Sequence, residues 1–280
     1  VASRGLGDVY KRQLQCGGCM TGCRHNAKNT LPKNYLGLAE SAGAEVFPLT
    51  TVTSLEERDG KWVVTTRKSN SWMGIKKRFT ADEVIVAAGT YNTQKLLHSM
   101  KSKGKLPKLS SRLGELSRTN SESLVGAIMP NTDIDFSSGA AITSSFYPDE
   151  NTHVEPVRYG KGSNVMGLLQ TAMTDGNSVS ERRKQWLKTI IRKPSLITTI
   201  LNVKRGSERQ VIALVMQDVD SAIRVKSKRG IFGWRMTSEN DANRPNATYI
   251  PAANETARRI ANRYGGIAGG HIGDLVNAPS

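Results

Sequence analysis

Long apolar runs are missing from this sequence. The longest are Val84–Ala88 and Val211–Met216, far short of the ~20 residues that a membrane-spanning helix needs, so the chain is expected to be soluble or at most peripheral. Acidic residues are also scarce: 24 Asp and Glu stand against 40 Lys and Arg, a formal charge of +16. A basic surface can hold nucleic acid or an anionic membrane by neutralising phosphates. Neither aromatic interleaving nor a recognised nucleic-acid motif accompanies these cations, so nucleic acid is not expected as a partner. Lys76–Arg78, Lys101–Lys108, Arg182–Lys193 and Lys204–Arg209 read instead as solvated basic faces, with peripheral membrane contact left open. Aromatic residues make up only 6% and hydrophobic residues 38% of the 280. That is lean, but enough to bury the core of one large domain or two ordinary ones. A G-x-G-x-x-G loop is absent too, which excludes an intact dinucleotide phosphate loop from the chain.

The first residue is Val1 rather than Met. Asp8–Gln13 (Asp-Val-Tyr-Lys-Arg-Gln) matches, in one reading frame, the end of a transposon used to prepare sequencing libraries. Residues 1–13 are therefore expected to be a non-native segment, with the natural chain beginning near Leu14. A signal peptide is not readable from such a start. The compartment is left open, cytoplasmic or peripheral-membrane being favoured over secreted, and so is the oligomeric state.

The remaining pattern predicts two textures. Asn29 or Thr30 can cap a helix with Pro32 in its first turn, Leu31, Tyr35, Leu38 and Ala42 at helical spacing and Gly43 as its stop. Ala44–Pro48 and Thr51–Glu57 read as strands, Asp59-Gly60 as a hairpin turn and Lys61–Arg67 as its second arm. Glu83–Ala88 is a continuous apolar strand of the kind buried on both faces, expected to be central and parallel to its neighbour. Gly89 ends it and Tyr91–Met100 is a helix. From about Thr119 short strands alternate with turns: Glu122–Met129, Ala140–Phe146, Thr152–Val157, Val165–Ala172, Arg209–Gln217, Ala222–Lys226 and Phe232–Thr237. Basic helices near Ser180–Arg192 and Ser195–Val203 interrupt them, and a helix over Pro251–Tyr264 closes the region. This half reads as an antiparallel sheet backed by helices.

Three motifs carry candidate chemistry. Cys16, Cys19 and Cys23 have spacings that can wrap a zinc ion or an iron–sulfur cluster, given a fourth ligand. They also suit a tight Gly-Cys turn beside a cofactor, with the thiols as small apolar side chains. Glu83–Leu97 places Gly89 where backbone can approach a phosphate or a flavin ring at a helix N-terminus. In Asn151–Gly160, strand alternation puts His153, Glu155 and Val157 on one face, an acid/base pair if that face meets a cavity and plain surface otherwise. His25, His98 and His271 have no spaced ligand partners and read as structural or surface residues.

Together these segments resemble the glucose–methanol–choline (GMC) oxidoreductases, nearest their cholesterol-oxidase-like branch. The resemblance rests on Cys19–Leu31, Asn34–Leu36, Ala44–Val52 and Glu83–Leu97, then Leu113–Glu122, Ile142–Gly167 and Arg209–Ala261. It implies an α/β plus α+β fold: a partial FAD-binding Rossmann-like domain over 14–118 and a mostly antiparallel-sheet substrate domain over 119–264. Residues 265–280 would begin the return to the FAD domain. It implies FAD as cofactor, contacted by Cys23, Asn26, Asn29, Val52, Ala88, Gly89, Asn92 and Thr93, with no metal. It also implies a sterol or similar small hydrophobic alcohol as substrate, oxidised by hydride transfer to flavin. Glu155 would be a carboxylate that moves a proton during double-bond isomerisation, although Pro156 follows it and Arg158 could pair with it. The family's glycine-rich pyrophosphate loop and its catalytic histidine segment are expected outside Leu14–Ser280, so this stretch is expected to be an internal piece, inactive alone. A non-catalytic α/β binding protein and a metal or iron–sulfur module on Cys16, Cys19 and Cys23 are the alternatives.

Overall fold

The computed structural model describes residues 13–72, 74–131, 133–231 and 233–275. Nearly all of the expected non-native segment lies outside the described residues, as does Phe232, the start of one expected strand. By packing, the chain divides into two units. One comprises residues 35–119 and 221–246, and the other 13–34, 120–220 and 247–275.

In the first unit, helix α1 (Tyr35–Ser41) precedes an antiparallel meander of β1 (Thr50–Arg58), β2 (Lys61–Lys68) and β3 (Lys76–Ala81). Asp59 and Gly60 both have positive φ (52° and 76°), as a two-residue turn matching the right-handed strand twist requires. Helix α2 (Gly89–Ser102) packs on β1. Its fully buried Met100 receives the Leu55 backbone N–H on its sulfur at 3.2 Å.

The second unit contains β4 (Glu122–Ile128), β5 (Phe146–Asp149), β6 (Thr152–Val157) and β7 (Gln170–Ala172). Helices α3 (Val179–Arg192) and α4 (Ser195–Leu201) follow, then β8 (Gln210–Gln217). Strands β9 (Ile223–Gly230) and β10 (Gly233–Asn240) form a separate hairpin in the first unit, bonded to it through Ser117 and Gly114. Helix α5 (Pro251–Tyr264) and β11 (Ile267–His271) return to the second unit. Its sheet is six-stranded, in the order β5-β6-β8-β4-β11-β7, antiparallel throughout.

Local signals set the ends of its helices. Ser178 and Glu181 form a reciprocal capping box at the start of α3. Pro251 occupies the first turn of α5 and Gly265 ends it in the left-handed region at φ 65°. Helix α5 lies across one sheet face, where Val125, Val154, Ala213 and Val215 pack on Ala253 and Ala257. Alanines at helical spacing let the helix approach the sheet closely, and both are completely buried.

Several expectations are corrected. Glu83–Ala88 is not a central parallel strand: it forms no strand and pairs with none among the described residues, and Ile85 is 91% exposed. A run buried on both faces needs strands on both sides, and the described residues offer it none. Ala44–Pro48 is unpaired for the same reason. Every pairing between the named strands is antiparallel, so the fold is mixed helix and antiparallel sheet. Ala140–Phe146 makes only an isolated bridge, Ile142 with Val157, and Val165–Leu169 winds into a 3-10 turn before β7. Strand β11 escaped the sequence reading because its run of glycines resembles a loop.

Candidate functional site

Alternation along the six-stranded sheet separates its two faces. Val125, Val154 and Val215 meet α5, so their neighbours Leu124, Glu155 and Leu214 point the other way. Registry aligns them across strands: Glu155 pairs with Leu214, and Leu214 with Leu124. The adjacent row is Val157, Ile212, Gly126 and Gly269. Glu155 is half-buried on this second face with Leu214 beside it and Leu124 one strand further along the row, and the His153 Nε2 lies 3.9 Å from its Oε1. The His153 ring stacks on Tyr147 at 4.8 Å between centroids.

Two concerns raised by the sequence resolve geometrically. Pro156 removes a ladder donor, but β5 pairs with β6 only over Thr152–Val154, so Pro156 lies past the reach of β5. Arg158 does not pair with Glu155. Its guanidinium donates instead to the Ser138 carbonyl and to Thr143 Oγ1. At one end of the face a small recess is lined by Val157, Tyr159, Met166, Gln210 and Ile212.

The cysteine segment packs in the same unit through glycine contacts. Cys16 bridges Gly139, with Gly17 N–H donating to the Gly139 carbonyl and Gly139 N–H to the Gln15 carbonyl, both at 2.7 Å. A Cβ on Gly160 would come within 2.7 Å of the Cys16 carbonyl, so only glycine permits that approach. The spacing of the cysteines announced a turn, but its glycine partners 120 and more residues away could not be read from it. Cys16 is exposed, Cys19 and Cys23 are half-exposed, and all are unbonded. Among the described residues no three His, Cys, Asp or Glu side chains gather to hold a metal. Cys23 Sγ accepts the Ala27 N–H at 3.2 Å, and backbone donors, Lys28 foremost and then Ala27, hold its thiol below the ordinary value. Asn26 has positive φ (57°) and donates its N–H to the Cys23 carbonyl, while Asn29 Oδ1 accepts from Asn34 Nδ2.

In the other unit, Val52 lies on β1, and Ala88, Gly89, Asn92 and Thr93 cluster at the N-terminus of α2. That terminus has no side-chain cap. The Ala88 N–H donates to Thr93 Oγ1 at 3.2 Å, and Gly89, at φ 74°, has open space where a Cβ would stand. Free backbone donors beside an uncovered glycine fit a phosphate or a flattened ring.

The family described as GMC oxidoreductase matches residues 4–110. The chain is 52% identical over 284 residues to the cholesterol oxidase of Mycobacterium tuberculosis in each of two strains, covering 98% of this chain and 49% of the relative. It is 40% identical over 261 residues to the cholesterol oxidase of Acinetobacter baumannii, covering 90% of this chain and 46% of that protein. The chain thus spans about half the length of the curated relatives it matches. On the family match and on these alignments, the chain belongs to the GMC oxidoreductase family.

Proposed function

We propose that this chain contributes the substrate wall and part of the cofactor site of an FAD-dependent oxidoreductase acting on a sterol or similar hydrophobic alcohol. The observation that carries the reading is Glu155, half-buried beside Leu214 and in one row with Leu124 on the sheet face opposite α5. The names of the relatives support the substrate class. When bound, FAD supplies the acceptor for the hydride leaving the alcohol carbon. Gly89 would hold it by backbone donation at the α2 terminus, with Ala88, Asn92, Thr93 and Val52 as further contacts. Cys23, Asn26 and Asn29 are proposed contacts from the turn-rich segment before α1. The functional division into an FAD part over 14–118 and a substrate part over 119–264 belongs to this proposal.

Glu155 would act after oxidation. Its carboxylate takes a proton from the carbon between the new carbonyl and the double bond, and returns it at the far end of that bond. The shift conjugates alkene with ketone and leaves Glu155 as it began. An apolar strip keeps water from competing for that proton, and His153 lies close enough to orient the carboxylate.

The test is anaerobic. The enzyme, extended to the full length of its relatives and loaded with FAD, is mixed with cholesterol in detergent. Bleaching of the flavin absorbance is expected. Flavin that stays oxidised with cholesterol and with other hydrophobic alcohols would overturn the proposal.

A further inference from the structure

The sequence offered no role for His271, but the sheet gives it one. It is the last residue of β11, one step beyond the Gly270–Val125 pair, which brings it to the level of Leu124. Ala268 packs toward α5, so His271, three residues on, points to the opposite face. It therefore ends the row that begins with Glu155: Glu155, Leu214, Leu124, His271. Three interstrand steps separate the backbones at its two ends by about 14 Å.

The ring is fixed rather than free. Its Nδ1 accepts the Gly273 N–H at 3.1 Å, and its own backbone N–H donates to Asp274 Oδ2 at 3.2 Å. An accepting Nδ1 places the proton of the neutral imidazole on Nε2. Among the described residues that Nε2 has no hydrogen-bond partner, although the residue is half-buried. Beside the row, Gly126 and Gly269 oppose each other without side chains, and the Gln170 amide lies across them, 6% exposed and also without a partner. The strip thus has a carboxylate at one end, two leucines as its floor and oriented polar donors at the other.

We propose that His271 is a ligand-contacting, specificity-determining residue: its Nε2–H donates to an oxygen at the far end of an elongated, fused-ring alcohol whose reacting end lies toward Glu155. The inference rests on the substrate reading above and adds to it the preferred class, apolar alcohols bearing a second oxygen, as a ketone or hydroxyl, remote from the reacting one.

The experiment compares two probes that differ only there: 3β-hydroxyandrost-5-en-17-one and its 17-deoxy counterpart, androst-5-en-3β-ol. KM for each is measured with the FAD-loaded enzyme at the full length of its relatives. The 17-ketone is expected to be preferred about 3- to 10-fold, the yield of one neutral hydrogen bond. His271→Ala should bring the ratio close to one, and His271→Gln, which keeps a donor at similar reach, should restore part of it. Thermal melts of both variants report whether folding is intact. Should His271→Ala not fold, His271→Gln and the wild-type ratio still decide: equal KM values for the two steroids in the wild type contradict the proposal. So does a preference that survives in a folded His271→Ala, as when the histidine donates to another part of the chain. If neither steroid nor cholesterol is oxidised, the substrate reading falls and this inference with it.

Discussion

Val211–Met216 and Val84–Ala88 are the two longest apolar runs in the chain, and they meet opposite fates. The first is the heart of β8, bonded on one side to β4 and on the other to β6, with Val215 fully buried. The second forms no strand, is unpaired among the described residues and is solvent-facing at Ile85. Composition does not separate them. The difference lies in what other segments supply: Glu122–Ile128 and Thr152–Val157 give β8 complementary ladders, while no described strand lies beside 83–88. An apolar run states a demand for neighbours, and only the rest of the fold meets it.

The largest effect expected from that contrast is on the core. In the chain as given, Val215→Asp buries an unpaired charge among Val125, Val154 and Ala253 and should cost more than about 4 kcal/mol. Ile85→Asp should change stability by no more than about 0.5 kcal/mol. Urea unfolding of the two variants measures both, and a comparable loss from Ile85→Asp would break the comparison.

Glycines beside the two runs sharpen it. A Cβ on Gly126 would sit 2.3 Å from the Val211 carbonyl and 2.5 Å from Gln170 Nε2. Gly126→Ala must therefore push β4 from β8, at roughly 2 kcal/mol or more. Gly89→Ala meets no atom within 4 Å and suffers only from its φ of 74°, about 1 kcal/mol. Equal losses in urea would show that backbone strain, not strand approach, governs both.

The smallest effect is a pH dependence in the unit that holds β8. Asp175 accepts from Tyr249 and Asn254 and pairs with Arg258, all from α5 or the residues just before it. Burial pushes its pKa up, but the bonds from Arg258, Asn254 and Tyr249 together outweigh burial and the net direction is down. A depressed carboxyl contributes stability that is present above its unfolded pKa, near 3.9, and is lost as pH falls through the folded value. Asp175→Asn should lower the melting temperature at neutral pH and leave a smaller decline on acidification below about pH 4. A variant with an unchanged acid decline would remove Asp175 from the account.

Much of this fold was legible in the residues. The Asp59-Gly60 turn, the arms around it, both helices of the basic stretch, β6, β8 and α5 follow from local signals that tertiary packing did not override. What escaped depended on partners. Ala44–Pro48 and Glu83–Ala88 carry strand-like patterns without a strand to bond, and Ile267–His271 looked like a loop until β4 and β7 flanked it. The site divides in the same way. Period-two alternation placed His153, Glu155 and Val157 on one face. Registry, which no single segment encodes, was needed to add Leu214, Leu124 and His271 to that row.

The most direct test of the account is the product made by Glu155→Gln in the enzyme at the full length of its relatives, loaded with FAD and given cholesterol. The account predicts that flavin reduction continues while the unconjugated 5-en-3-one accumulates, with isomerisation slowed about 100-fold or more by loss of a positioned acid/base group. A variant that delivers the conjugated 4-en-3-one at the wild-type rate would contradict it.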